Sequence, residues 1–188
     1  MPTDDTRQAL MDAALRLAML DPAASLDAVA AAAGVGRATL FRHFPNRQAL
    51  LRAAGRRVLG ELEQRLEAVA PPTSSAESVR AALREALAAL LEGGLPLQAV
   101  MAAPGLADDP ALRAAARRLD RHLAPLFERA TAAGLLRPDI DAAWLDAAFD
   151  GLLYAAWTAV REGRIAAQRA PDLLLDALLD GFGRPGRR

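Results

Sequence analysis

Cysteine and lysine are absent from this chain of 188 residues, and histidine occurs only twice. Without cysteine there is no disulfide bond and no thiolate metal site. The two histidines, His43 and His122, are too few for the usual zinc sites. We therefore expect neither a metal nor another cofactor. Aromatic residues make up 4% of the chain, so leucine and alanine must supply most of any core.

Long apolar runs are also missing, because none approaches the roughly 20 residues that a membrane span needs. The N-terminal sequence MPTDDTRQAL is polar and contains two acids, unlike a signal peptide. We expect a cytoplasmic protein with no membrane partner. The chain lacks a glycine-rich phosphate loop, a G-x-S-x-G sequence and any histidine–carboxylate spacing typical of a metal site. These absences argue against an enzyme.

Acidic residues are absent between Asp27 and Glu61, although the whole chain has a formal net charge of zero. Residues 1–60 carry eight arginines against five aspartates, and the remainder carries fifteen arginines against eighteen acids. The acid-free window contains Arg37, Arg42, Arg47, Arg52, Arg56 and Arg57. Such uncompensated cations form a basic patch, whose most frequent partner is nucleic acid. Charge alone leaves open a basic face that is merely solvated.

Helical periodicity occurs throughout the chain, whereas no segment alternates convincingly between apolar and polar residues as a strand does. Ser25 is a good N-cap, Gly34 suits the left-handed position after a helix, and Asn46 can cap the helix that follows. The pair Gly93-Gly94 is expected to interrupt a helix. We predict an all-α fold of about nine helices, at residues 5–19, 26–33, 37–44, 47–69, 76–92, 96–103, 109–133, 141–162 and 171–182.

The second and third predicted helices are joined by a turn of about three residues containing glycine, which is the pattern of a helix-turn-helix. In that motif the second helix enters the major groove of DNA. At about 100° per residue, Leu40 and Phe44 share one face of the third helix and are expected to be buried. The opposite face carries Ala38, Thr39 and Arg42, which we expect to face the bases.

The exposed residues of the third helix have side chains that suit DNA. Arg42 can bind guanine through two hydrogen bonds, Thr39 offers a hydroxyl and a methyl group, and Ala38 permits close approach. Phe41 and His43 flank the buried face and are expected to lie against the sugar-phosphate backbone. Phosphate contacts are also expected from Arg47 and from the N-terminus of the second helix at Ser25. Arg37, in the first turn of the third helix, is a further candidate DNA-binding residue.

The stretch SLDAVAAAAGVGRATLFRHFPNRQALLRAA, Ser25 to Ala54, resembles the DNA-binding region of the TetR family of bacterial transcriptional regulators. It contains A-x-x-A-G-V at Ala30–Val35 and T-L-[YF]-x-[HY]-F-x-[NS]-[KR]-x-x-L at Thr39–Leu50. The resemblance implies a helix-turn-helix domain at residues 1–50 and a helical ligand-binding and dimerisation domain at residues 51–188.

Two positions depart from the family pattern. Gly36 stands where a serine usually precedes the recognition helix, so the capping hydroxyl is lost. Phe41 replaces a tyrosine whose hydroxyl commonly bonds a phosphate. Lysine is common in the family at the position of Arg47, so a phosphate contact carries over there.

The last two predicted helices are rich in leucine, alanine and aromatic residues. The sequence WLDAAFDGLLYAAWTAV is apolar around most of the helix circumference, so this helix must be buried on all sides. An internal core helix satisfies that pattern, and so does a face shared with a twofold mate, which the resemblance favours. The expected dimer interface contains Phe149, Gly151, Leu152, Leu175, Leu178 and Leu179. A homodimer would place two recognition helices on a palindromic operator.

A ligand pocket is expected between the helices that follow the DNA-binding region. Its candidate residues are mostly apolar or aromatic: Leu87, Leu91, Met101, His122, Phe127, Trp144, Tyr154 and Trp157. The leading hypothesis is a repressor that is released from double-stranded DNA by a small-molecule effector. A regulator without an effector is the alternative, and a helical enzyme or a module that binds an acidic protein belongs to a different class.

Overall fold

The computed structural model describes residues 2–21, 23–71 and 73–183. Within these ranges the predicted all-α fold is confirmed, with eight α-helices and one short 3₁₀ helix. The elements are α1 (Pro2–Leu20), α2 (Leu26–Ala32), α3 (Arg37–His43), α4 (Arg47–Ala68), α5 (Ala76–Met101), α6 (Pro110–Ala132), α7 (Ala142–Arg161), the 3₁₀ helix (Ala167–Arg169) and α8 (Ala170–Phe182).

The short helices of the N-terminal region end where their capping residues predict. The hydroxyl of Ser25 accepts a hydrogen bond from the Ala28 amide at 3.1 Å, which confirms it as the N-cap of α2. Gly34 has φ of +70°, the left-handed conformation that glycine adopts without steric cost. The side chain of Asn46 accepts from the Ala49 amide at 2.8 Å and caps α4. Local sequence therefore determines the turns on both sides of α3.

The predicted break at Gly93-Gly94 is wrong, because α5 continues through both glycines and through Pro96. Both glycines allow a bulky side chain to approach the helix closely. A Cβ atom would lie 2.6 Å from Leu62 at Gly93 and 2.0 Å from the indole of Trp157 at Gly94. These glycines therefore let side chains of α4 and α7 pack closely against α5, and the predicted helices at residues 76–92 and 96–103 are one helix.

The described chain forms two compact units. The first unit comprises the described residues up to Glu61 together with Leu95–Arg117, and the second comprises Leu62–Gly94 and the described residues from Arg118 onward. The helices α4, α5 and α6 each begin in one unit and end in the other. The predicted division after residue 50 falls within α4 and stays a prediction.

Each unit has its own core of leucine and alanine with few aromatic rings. In the first unit α2 packs against α1 and α3, and Leu10, Leu40 and Leu50 are fully buried. In the second unit the rings of Phe127 and Phe149 meet edge to face, with their centroids 5.2 Å apart. Among the described residues, no helix is both long and apolar enough to cross a membrane.

Candidate nucleic-acid interface

The short helix α3 divides into a buried face and an exposed face, as its sequence predicts. Leu40 is 0% exposed and Phe44 is 3% exposed, so these two side chains fix the helix to the first unit. On the other side Ala38 and Arg42 are exposed and Thr39 is half-buried. The helix therefore presents to solvent the side chains that we expect to read bases.

Burial of Leu40 and Phe44 is what holds this polar helix in place. A fully buried leucine or phenylalanine side chain contributes about 1.5–3 kcal/mol relative to an exposed one. Phe44 also lies under the guanidinium of Arg7 on α1, whose Cζ is 5.2 Å from the ring centroid. Seven residues cannot form a stable helix alone, so these contacts supply most of the stability of α3.

The N-terminus of α3 is stabilised by a neighbouring helix rather than by its own capping residue. Gly36 occupies the N-cap position in an extended conformation, φ −78° and ψ 155°, and makes no side-chain hydrogen bond. One nitrogen of Arg37 contacts both carboxylate oxygens of Asp27 on α2, at 2.6 and 2.5 Å. The guanidinium carbon also lies 5.1 Å from the ring centroid of Phe41, which is 38% exposed. These contacts join α2 to the exposed side of α3.

The basic patch is more compensated than its sequence suggests, and the expectation of six uncompensated cations is wrong. Acids outside the window pair with three of them: Asp27 with Arg37, Asp109 with Arg52, and Asp12 with Arg57. Glu61 also approaches Arg57 at 3.3 Å. Within the described part of the chain, Arg42 and Arg56 have no acidic partner. On α3, the exposed cation whose charge no acid in the described part of the chain balances is therefore Arg42.

Two of the residues predicted to contact the DNA backbone, Arg47 and Ser25, make hydrogen bonds within the protein, and a third, His43, has one buried ring nitrogen. Arg47 donates a hydrogen bond to the carbonyl oxygen of Ala24 and thereby ties α4 to the α1–α2 connection. The Ser25 hydroxyl is engaged in capping α2. The Nε2 atom of His43 is buried without a hydrogen-bond partner, so a phosphate contact by this residue would come from Nδ1. The phosphate contacts of all three residues stay predictions.

A polar junction joins α4 to the α5–α6 connection within the first unit. Asp109 is 7% exposed and receives a hydrogen bond from Arg52 at 2.5 Å. Its other carboxylate oxygen caps α6 by accepting from the Ala111 and Leu112 amides. The Arg52 hydrogen bond is the main reason that the pKa of Asp109 is lowered, against the opposing effect of burial. Gln48 adds a hydrogen bond to the Pro104 carbonyl at 3.1 Å.

Sequence reasoning missed Asp27, Asp109 and Gln48 as positioning residues. The sequence Asp109-Pro110 carries a usable signal, because an N-cap aspartate followed by proline is typical of a helix start. Its pairing with Arg52 joins residues that are 57 positions apart, and a single sequence does not reveal such a contact.

The predicted dimer residues separate into an interior group and a surface group. Phe149, Leu175 and Leu178 are between 0% and 2% exposed, so they belong to the core of the second unit and not to an interface. This corrects the prediction for those three side chains. Gly151 is exposed with open space beyond its Cα, and Leu152 and Leu179 are half-buried.

An apolar groove of about 510 Å³ lies between α7 and α8 on the surface of the second unit. Leu152, Tyr154 and Leu173 contribute to its lining, and the last two are 59% and 42% exposed. Most of the remaining lining residues are alanines, whose short side chains leave the groove open. Large apolar side chains at this exposure are typical of a surface that another protein covers.

The residues predicted to line a ligand pocket differ in burial and do not all lie in one unit. Leu87, Leu91 and Phe127 are buried in the second unit, whereas Trp144 and Tyr154 are exposed on its surface. These two aromatic residues therefore lie at the surface and not in the interior where we expected them, and their part in a ligand pocket stays a prediction. Trp157, His122 and Met101 are half-buried, and Met101 belongs to the first unit.

Trp157 is held against α5 inside the second unit. Its indole nitrogen donates to the Leu90 carbonyl at 3.2 Å, and its ring lies on Gly94. A groove of about 350 Å³ beside Phe127 is lined in part by Ile140 and Leu145. Across the described residues, no cluster of three or more histidine, aspartate or glutamate side chains is arranged to hold a metal ion.

Comparison with known proteins agrees with this arrangement. Residues 10–54 match the tetR family of bacterial regulatory proteins. Over 177 residues the chain is 34% identical to the HTH-type transcriptional repressor LfrR of Mycolicibacterium smegmatis, and the match covers 94% of this chain and 90% of the relative.

Two solved structures are similar over almost the whole chain. The TetR-like regulator LfrR from Mycobacterium smegmatis in complex with proflavine has a TM-score of 0.79 and 29% identity, covering 96% of this chain and 98% of that one. The TetR regulator SCO0520 from Streptomyces coelicolor has a TM-score of 0.57 and 30% identity, covering 96% and 99%. Three observations lead to one conclusion: the helix-turn-helix, the family match at residues 10–54, and the 34% identity to a repressor of which 90% is covered. The chain belongs to the TetR family of bacterial transcriptional regulators and not to a family of enzymes.

Proposed function

We propose that this regulator is a homodimeric repressor that binds a palindromic operator in the cytoplasm and is released by a small organic effector. The observation that carries the proposal is the two-faced helix α3. Leu40 and Phe44 anchor it, while Arg42, Ala38 and Thr39 point away from the core. A short helix that is fixed on one face and polar on the other fits the major groove.

The side chains of α3 have distinct roles in this proposal. Arg42 reads guanine, Thr39 contacts a base or a phosphate, and Ala38 permits close approach. Phe41 and His43 lie along the DNA backbone, Ser25 and Arg47 supply phosphate contacts, and Arg37 stands at the start of the helix paired with Asp27. Arg42 carries most of the sequence discrimination because its guanidinium can make two hydrogen bonds to a guanine edge, and no acid in the described part of the chain competes for it.

Dimerisation through the α7–α8 groove is supported by its exposed apolar side chains. Tyr154, Leu173 and Leu152 line the groove, and Gly151 adds a surface position without a side chain. A twofold contact brings the same patch of two copies together, so each groove would cover the other. The two α3 helices of such a dimer would lie one helical turn of DNA, or a multiple of it, apart.

The second unit is the proposed effector-binding part of the chain, with Leu87, Leu91, Phe127 and Trp157 as its candidate contacts. Proflavine, a planar aromatic cation, is the first compound to test because the structure of the relative LfrR holds it. An effector bound there would act through α4, α5 and α6, which continue into the first unit. Such coupling between two sites is typically worth about 1–3 kcal/mol.

Selection of bound fragments from genomic DNA tests the operator, and titration of the selected complex with proflavine tests the effector. The proposal predicts enrichment of one palindrome and a lower affinity for it when proflavine is bound. A Trp144→Phe variant leaves Trp157 as the single tryptophan, so quenching of its emission reports binding in the second unit. If no sequence is enriched, the proposal that the protein binds a specific operator is wrong. If a sequence is enriched but its binding does not respond to proflavine, the DNA-binding role stands and proflavine is not the effector.

A further inference from the structure

We infer that Asp27 determines how strictly the protein discriminates its operator from other DNA, because it holds Arg37 on Phe41 and keeps that cation from the DNA backbone. The inference rests on the proposed function, since it assigns α3 to the DNA. It concerns a residue of α2 that is not itself expected to contact a base.

The geometry gives Arg37 two partners within the first unit. Its Nη1 atom lies 2.6 and 2.5 Å from the two oxygens of Asp27, and its Cζ lies 5.1 Å from the centre of the Phe41 ring. Residues 37 and 41 are one helical turn apart, so Phe41 stacks against an arginine on its own helix. The Arg37 and Asp27 side chains are 65% and 58% exposed. The contact is therefore a surface one that water and DNA can reach.

The sequence of α3 explains why Asp27 is needed. A helix N-terminus carries a partial positive charge and favours an acid or a capping oxygen. The first turn of α3 has no acid, its N-cap is Gly36, and its first residue is the cation Arg37. Asp27 brings the missing negative charge from the first turn of α2. It thus balances the charge of the arginine placed at that helix end.

The pairing changes what Arg37 contributes to DNA binding. A free arginine at the edge of the recognition helix would bind phosphate on any sequence and raise non-specific affinity. Paired with Asp27, the same residue adds no net charge to that edge, and among the described residues Arg42 remains as the cation of α3 without an acidic partner. Specificity is a difference between two affinities, so an element that weakens binding to the wrong DNA increases it.

The variant Asp27→Asn tests the inference by freeing Arg37 at nearly constant shape. We expect affinity for random-sequence DNA to rise by about five- to tenfold. The slope of log K against log salt concentration should become steeper by roughly 0.9, which is the contribution of one more phosphate contact. Affinity for the selected operator should change less, so the ratio between the two falls. Asp5→Asn is the matched control, because it makes the same charge change on α1 and should alter either affinity less than about twofold.

The double variant Asp27→Asn with Arg37→Gln separates this mechanism from simple removal of a negative charge. If Arg37 makes the new phosphate contact, the gain on random DNA disappears in the double variant. A gain that persists without Arg37 overturns the inference. So does a parallel loss on operator and random DNA accompanied by a lower Tm, because Asp27 would then act only in folding.

Binding by the wild-type protein separates failure of this inference from failure of the proposed function. If the wild type binds no genomic fragment more tightly than random DNA, the proposed function is wrong. If the wild type has a clear preference, and Asp27→Asn changes neither the ratio of operator to random-DNA affinity nor the salt slope, only the role of Asp27 is wrong.

Discussion

The exposed surface of α3 and the exposed surface of α7–α8 differ in chemistry. On α3 the exposed side chains include the short Ala38, the cationic Arg42 and one aromatic ring, Phe41, on which the Arg37 guanidinium lies, whereas Leu40 and Phe44 are buried. On α7–α8 large apolar side chains such as Tyr154 and Leu173 remain at the surface. A polar, cationic surface suits a hydrated polyanion, whereas an apolar groove suits a partner that excludes water. The two surfaces therefore predict two different partners, DNA and a second copy of the chain.

The largest effect is expected from Leu173→Glu, which places a charge in the α7–α8 groove. A buried unpaired carboxylate opposes association, so the dimer should dissociate. Because two linked half-site contacts then become one, operator affinity should fall on the order of a hundredfold or more. Sedimentation and DNA titration of the same sample measure both effects.

Ala132→Glu is the matched control, since residue 132 is exposed at the end of α6 in the second unit and does not line the α7–α8 groove. It should leave the protein dimeric with unchanged operator affinity. A Leu173→Glu protein that stays dimeric at micromolar concentration contradicts the assignment of the groove.

Arg42→Ala should have the next largest effect, this time on the α3 surface. Loss of a bidentate guanine contact costs about 1–3 kcal/mol of discrimination, roughly five- to 150-fold in affinity for the operator. Random-sequence DNA should lose far less. Competition titrations with operator and random fragments at one salt concentration measure the ratio.

Arg56→Ala provides the comparison for the loss of one arginine charge. Arg56 is exposed on α4, and like Arg42 it has no acidic partner within the described part of the chain. Its removal should lower affinity slightly and equally on all sequences. If Arg42→Ala lowers affinity for operator and for random DNA equally, Arg42 does not read a base.

The sequence predicts the α3 surface better than the α7–α8 surface, for a physical reason. Ser25, Gly34 and Leu40 have roles set by neighbours along the chain, through caps, a turn and one helical repeat. Phe149 and Leu178 cannot be assigned to core or interface in the same way, because a helix that is apolar all round has no distinguishable outer face. Pairings such as Arg37 with Asp27 depend on how two helices pack, which local patterns do not encode.

Asp109→Asn should lower stability by an amount that depends on pH. The Arg52 hydrogen bond lowers the pKa of Asp109 in the folded protein. The contribution of Asp109 to the free energy of unfolding is therefore fully present above its pKa in the unfolded chain, near 4, and is lost as pH falls through the lowered pKa of the folded protein. We expect a Tm several degrees lower than that of the wild type at pH 7, and a smaller difference at low pH. Thermal melts followed by circular dichroism across this range measure the change.

Asp172→Asn in the second unit is the control for burial. Arg84 also lowers the pKa of Asp172, but that carboxylate is 54% exposed, whereas Asp109 is 7% exposed. Water screens the exposed pair, so its loss should change Tm much less. Equal effects of the two variants would show that burial does not set the strength of these ion pairs.

The smallest effect is expected from Gly36→Ser, which restores a capping hydroxyl to α3. The site has an extended backbone and open space beyond Cα, so serine fits without strain. The gain should be a few tenths of a kcal/mol, and Gly36→Ala should instead destabilise because alanine cannot cap. Denaturant titration measures the pair, and a loss for both variants would show that glycine itself is required.

The most direct test of a dimer reading DNA through two α3 helices is binding to three versions of one selected fragment: both half-sites intact, one scrambled, and both scrambled. The account predicts two protomers on the intact palindrome. It also predicts that scrambling one half-site removes most of the affinity above that for the fully scrambled DNA. Equal affinity for the intact and the half-scrambled fragments, or one protomer on the intact palindrome, would contradict it.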